Sequence, residues 1–379
     1  MCVSACALPQ RVCGSGPLAL LRGPLIARRP LLSPRSTRLE EASTSGSPRM
    51  EVSQRPRRDP FDAAGSRVQE LLRTVGSGEE ELLDNMVAEQ TPSEKLQSSV
   101  TVGALVTFAA VVISTLCHSD PYGGLSPTAD TATAAAVGML AAVPLVAVRE
   151  WCWGKDARQA LPLLDDMHHQ QTMLASPWLT GMQRGHVVVL MALEVLPLLL
   201  LLLPAVQGVM GAVCGLNVVD PFSDGSPPGI SMGTGREAFV HIGGLVMAAF
   251  AAGLGAGLQI SVTEEEEDVV TDAVDNADRF YRLRTSEERG AGTASSDEDG
   301  AEAATAFRAV ALVYLESRNQ ASALARTVSF CDVFLQGLLW YATGNLAAPA
   351  IVALAVNYVD YFHMHGAVRA KEIKNGSTG

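Results

Sequence analysis

Long apolar runs alternate along the chain with polar, charge-bearing segments, and the runs have the length of membrane-crossing helices. They occupy about 100–117 (VTVGALVTFAAVVISTLC), 133–148, 187–213 and 238–260, followed by a closely spaced pair at 328–343 and 346–362. A helix of about 17 to 25 residues crosses the hydrocarbon layer. The pattern therefore predicts an all-α polytopic membrane helix bundle of about six transmembrane helices, or seven or eight if amphipathic segments also enter the bilayer. One such segment is 303–325, where Phe307, Val310, Ala311, Tyr314 and Leu315 share a helical face as in an interfacial helix or a short extra membrane element. Another lies in the acidic stretch 59–98, where Val68, Leu71, Leu72 and Val75 fall at i, i+3, i+4 and i+7, the spacing of a surface helix. No internal repeat is visible, which argues against a repeat-built transporter.

The cations orient this pattern. The connection 118–131 has no Lys or Arg, whereas 149–185 carries Arg149, Lys155, Arg158 and Arg184. Only Arg236 lies in the next connection, while 261–327 carries seven arginines and the tail has Arg369, Lys371 and Lys374. By the positive-inside rule both termini lie on the same, stromal or matrix, side. The predicted organisation is a transit peptide over 1–58, an acidic stromal linker and helix over 59–98, a membrane domain over 99–365 with stromal loops 149–185 and 261–327, and a stromal tail over 366–379. Within the larger loop, EEEED at 264–268 and GAGTASSDEDG read as solvated charge with a mobile stretch.

Composition agrees with this picture and adds a destination. Hydrophobic residues make up 48% of the chain and the formal charge is −12, which excludes a nucleic-acid-binding protein as the principal reading. The first 58 residues run against the rest: ten Arg, no Lys, three Glu and eight Ser form the Arg-rich, Ser-rich, acid-poor composition of an organelle transit peptide, and its Ser, Pro and Ala content leans toward the chloroplast. Cys2, Cys6 and Cys13 leave with that segment; Cys117, Cys152, Cys214 and Cys331 are far apart, fit no metal spacing and read as buried hydrophobic thiols.

No motif of a soluble enzyme stands in its proper context. GISMG at 229–233 has the spacing of a nucleophile elbow but sits in a Pro/Gly-rich loop without the strand-to-helix turn that the serine needs. There is no HExxH, Walker A or dinucleotide fingerprint, and the pairs His168–His169 and His363/His365 lack supporting carboxylates or thiols. No catalytic residue, metal site or cofactor is expected. The chemistry worth watching is intramembrane: Glu194 beside Pro197, His241, Asp332, Asp360 and the polar Asn357 all fall in apolar runs, where ionisable groups are costly and need partners. The pairs Gly211/Gly215 and Gly253/Gly257 suit close helix approach within one chain.

The strongest local signal is LQGLLWYATGNLAAPAIVALAVNY at 335–358. It predicts a helical hairpin in which Thr343, Gly344 and Asn345 turn the chain and Pro349 suits the first turn of the next helix. The same string resembles the C-terminal signature of the CAAX-protease and bacteriocin-processing membrane family. That resemblance implies a helical core over about 100–365 and marks catalytic positions through Glu-Glu-x-x-x-Arg, Phe-x-x-x-His and His-x-x-x-Asn/Asp motifs. Aligned on TGNLAAP, the histidine position is Ala353 and only Asn357 remains. In LEVLPL, Glu194 stands alone with Leu198 at the arginine position, and Phe239 and His241 are two apart instead of four. The chain is thus similar to a catalytically degenerate, chloroplast-targeted branch of that family, the BALANCE of CHLOROPHYLL METABOLISM proteins.

Membership of that branch would imply a non-proteolytic thylakoid scaffold or regulator that binds chlorophyll-biosynthesis regulators or enzymes at its stromal face and balances chlorophyll synthesis against breakdown. Membrane lipids are the other expected partner, and the inner envelope is the alternative location. Two competing readings remain: a residual intramembrane protease using Glu194, Asp332 and Asn357, and a small-solute or pigment carrier lined by Glu194, His241 and Asp332.

Overall fold

The computed structural model describes residues 59–76, 80–213, 235–290 and 297–376. The transit-like segment, the GISMG string and Cys214 lie outside the described residues. Among the described residues no strand occurs, and the all-α prediction holds. The helices are α1 (Pro60–Gly76), α2 (Glu80–Glu89), α3 (Pro92–Leu116), α4 (Ala129–Trp153), α5 (Lys155–Ala160), α6 (Pro162–Leu179) and α7 (Arg184–Leu200). A π turn (Leu201–Ala205) leads into α8 (Val206–Val213), followed by α9 (Gly235–Ile260), α10 (Glu264–Asp275), α11 (Ala277–Gly290), α12 (Asp297–Thr343) and α13 (Ala347–Gly376).

Among the described residues, four helical stretches are long and apolar enough to cross a membrane: Pro92–Leu116, Ala129–Trp153, Arg184–Val213 and His241–Ile260. They coincide with the first four predicted spans. The fifth and sixth predicted spans are instead segments of longer helices, because α12 runs for 47 residues and α13 for 30. The two helices share the turn where these apolar runs meet, but at the other end each continues past its run into a polar segment. The segment 303–325 accordingly belongs to α12, and the predicted tail is largely the end of α13.

Local sequence explains the boundaries. Thr91 and Glu94 form a reciprocal capping box around Pro92 at the first helical position, so α3 starts before its apolar run. Pro204 has no N–H for the helical ladder, and the backbone accommodates it in the π turn between α7 and α8. The pair Gly253/Gly257 brings α9 onto α12 as expected. A Cβ at Gly253 would lie 2.9 Å from the Arg326 carbonyl oxygen, and Ser322 donates to the Gly257 carbonyl at 2.8 Å.

Two bodies of packing result. The bundle centres on Leu190, Val195, Tyr361 and Met364, where α7 and α13 meet α4 and α6. Outside it, the region expected to be the loop 261–327 is a folded helical module. Ala64 and Val68 of α1, Val270 of α10, Tyr281 of α11 and Ala304, Phe307 and Ala311 of α12 form its own core. The Arg67 guanidinium lies 3.4 Å from the Phe280 ring centroid, and Arg308 bonds Asp278 at 2.7 Å. The acidic run 264–267 is the first turn of α10, where Thr263 and Glu266 make a second capping box and the helix dipole favours negative charge. The predicted loop 149–185 is likewise mostly α5 and α6. Lys95, fully buried, donates to the Pro177 and Thr180 carbonyls at 2.7 and 2.9 Å and so caps the C-terminus of α6.

At the opposite face the α12–α13 turn docks on the α3–α4 connection. Gly344 has φ +65°, and the Leu346 N–H donates to Gly123 O at 2.9 Å, as does the Trp340 indole at 3.0 Å. Asn345 donates to Gly124 O and Thr131 Oγ1, both at 2.8 Å, and accepts from Ala347 N at 2.9 Å. Asn345→Ala removes three bonds at a site 4% exposed. It is expected to cost about 2–3 kcal/mol, read as a lower thermal-unfolding midpoint of the purified protein in detergent; Asn345→Asp, which keeps the acceptor for Ala347 but turns a carboxylate oxygen toward the Gly124 carbonyl, should lose at least as much.

Candidate functional site

The two aspartates singled out in the apolar runs meet at one cation. Arg149, near the cation-rich end of α4, bonds Asp332 of α12 through Nη2–Oδ2 at 2.6 Å and approaches Asp360 of α13 with Nε–Oδ2 at 3.3 Å. Asp360 also accepts from the Trp153 indole N–H at 2.8 Å. Arg149, Trp153 and Asp360 are buried, so the pairing acts in a low-dielectric environment where an uncompensated charge is costly. Arginine suits this post because one fork reaches two carboxylates on different helices.

Trp153 carries the cluster outward. The His168 ring of α6 stacks on it with centroids 3.9 Å apart and planes 4° from parallel; His363 of α13 stacks at 5.1 Å and 9°. His363 Nε2 in turn lies 2.9 Å from Glu150 Oε2. Burial pushes His168 down to about 4, the nearby Asp360 carboxylate opposing and Arg149 reinforcing the shift. His168 is therefore neutral at pH 7, while its neighbour His169 is exposed. His365, the other histidine of the HMH string, sits with Nε2 2.9 Å from Met182 O.

The remaining predicted residues are not gathered here. Glu194 of α7 accepts from the Tyr361 hydroxyl, and His241 of α9 pairs with Gln207 of α8 near the far end of the bundle. Asn357 donates through Nδ2 to Ala353 O of its own helix at 2.8 Å. Thr343, Gly344 and Asn345 form the turn described above, and Pro349 sits in the first turn of α13. Arg149 was legible only as a loop cation, and Trp153 not at all. The available signal was the pair of lone aspartates in apolar runs, which demands a basic partner at membrane depth.

A cavity of about 190 Å³ adjoins the cluster, walled by α7, the π turn, α9, α12 and α13. Asp332 and Asn357 line it, and so do Leu198 and Ala353. Among the described residues no group of three or more His, Cys, Asp or Glu is arranged to hold a metal ion. Cys117, Cys152 and Cys331 are free thiols. Comparisons with family models, curated proteins and solved structures find no match to this chain.

Physically, the cluster is a lock joining α4, α12 and α13. Arg149→Met strands two carboxylates and is expected to destabilise by about 3–5 kcal/mol; Arg149→Met with Asp332→Asn and Asp360→Asn should recover most of the loss in detergent unfolding. His168 gives a pH dependence of defined sign. Between its unfolded value of 6.5 and its folded value of about 4, the unfolded chain binds the extra proton. Stability therefore falls as pH drops through that window and levels off below it. Unfolding midpoints measured from pH 7 to 4 should show a shallower fall in His168→Phe than in the parent.

Proposed function

We propose that the chain is a non-proteolytic membrane scaffold whose helical module presents a docking surface rigidly mounted on the bundle. The observation that carries this reading is the continuity of α12. Its first turns supply Ala304, Phe307 and Ala311 to the module core, and its last supply Trp340 to the bundle core, with no break between. The fourfold acidic start of α10 leaves Glu264, Glu265, Glu267 and Asp268 exposed on the module, a charge pattern suited to a partner with a basic face. The leucine and alanine at the marked positions in the cavity support a non-proteolytic role, since a general base and its orienting cation are what the family chemistry needs there.

The finer reading rests on the sequence. The resemblance carried by 335–358 and the transit-like composition of 1–58 support a place in the chloroplast thylakoid membrane, with chlorophyll-metabolism proteins as the partners at the stromal face.

The test is affinity purification of the tagged full chain from gently solubilised membranes, followed by mass spectrometry. Replacing Glu264, Glu265 and Glu267 by Gln and Asp268 by Asn spares the Thr263–Glu266 cap. The expected result is loss of co-purifying chlorophyll-pathway proteins with the variant still folded in the membrane. Undiminished recovery with the variant would remove the acidic edge as the dock.

A further inference from the structure

The cavity beside the charge cluster has a polar end that the protein's own atoms leave unsatisfied. Gln259, near the end of α9, lines it at 5% exposure, and neither its Oε1 nor its Nε2 has a hydrogen-bond partner. A buried amide without partners is costly and points to a group that completes it. Ser329, Gln336 and Asp332 of α12 line the same cavity, and the Asp332 side chain is 26% exposed there although Arg149 holds its Oδ2. The rest of the wall is almost wholly aliphatic, including Val195, Leu199 and Leu202 of α7 and the π turn. The outer edge reaches Ala251 of α9, which is exposed on the flank of a membrane-crossing helix.

We propose that this cavity is a binding site for a neutral amphiphile whose head bears hydroxyl or amide groups, with its tail passing out along α9 into the bilayer. Gln259 both donates and accepts, so it selects a head that can do the same. Arg149 is shared by Asp332 and Asp360, so the cluster is already net negative and an anionic head would deepen that imbalance in a low-dielectric site, while an ammonium head can only donate and would leave the Gln259 Nε2 donor unmet. An anion would in addition meet the Asp332 carboxylate. Water fills the space poorly: a water takes about 30 Å³ and needs two to four polar partners, and most of the wall offers none. This proposal is independent of the docking role of the module.

The experiment uses the full chain, purified in detergent, stripped of lipid and titrated with 1-monooleoylglycerol under native mass spectrometry, with oleate as the charged control. Wild type should bind one monooleoylglycerol and bind oleate at least tenfold more weakly. Gly255→Leu is the plug: Gly255 lines the cavity and nothing lies within 4 Å of a Cβ placed there. It should abolish binding at an unchanged or higher unfolding midpoint. Gln259→Leu should weaken binding about tenfold, equivalent to about 1.4 kcal/mol, and it tests the head contact even if the plug variant fails to fold. Absence of binding to wild type, equal affinity for oleate, or binding insensitive to both substitutions overturns the proposal. A Gln259→Leu protein that is more stable and binds as tightly as wild type overturns it as well, in favour of a water-filled void.

Discussion

One arginine placed between two aspartates sets the arrangement of the bundle. Each of the three charges would be prohibitive alone at that depth, and together they are tolerable only when α4, α12 and α13 stand in one relative position. Apolar packing between such helices is weakly directional, since lipid tails are as apolar as the side chains they replace. The Arg149 fork supplies the direction. The Trp153 indole donating to Asp360, and the His168 and His363 rings stacked on Trp153, extend it from the bundle into the polar layer beyond.

Above this lock the protein has an unusual economy of parts. A single helix serves as a wall of the bundle, as one side of the cavity and as the central strut of the module. Because α12 is continuous, a load on the module is delivered to Asp332 and hence to Arg149 through backbone hydrogen bonds and not through a linker. The cavity shares Asp332 with the lock, so whatever fills it touches the same carboxylate that the strut positions.

How much of this could be read from the chain varies with the physics involved. The first four spans and the TGNLAAP turn follow from local signals, namely apolar length, a glycine able to adopt positive φ and an asparagine that bonds its surroundings. The Gly253/Gly257 contact was legible for the same reason. Two faces of the module were legible as well, Val68 with Leu71 and Leu72 and Phe307 with Val310, Ala311, Tyr314 and Leu315; that they pack on each other and on α10 and α11 was not, because the remaining core residues are alanines and single aromatics scattered among charges, so 261–327 has the average polarity of a loop. The EEEED run looked like solvated charge because its second role, starting a helix, depends on Thr263 just outside it. At the site, the aspartates were identified individually, but pairing residues 183 positions apart requires the tertiary fold. Gln259, at the edge of an apolar run, carried no signal of its own.

The long-range pairing also dictates an order of assembly. The main neighbour of α4 in the bundle is α13, and the turn at Gly123 is closed by Leu346 and Asn345. During insertion, Arg149 therefore enters the membrane well ahead of both its acceptors. Until α12 and α13 arrive, α4 must be sheltered by lipid headgroups, by water or by the insertion machinery. The partners of α4 are thus supplied by helices that follow it by nearly two hundred residues along the chain.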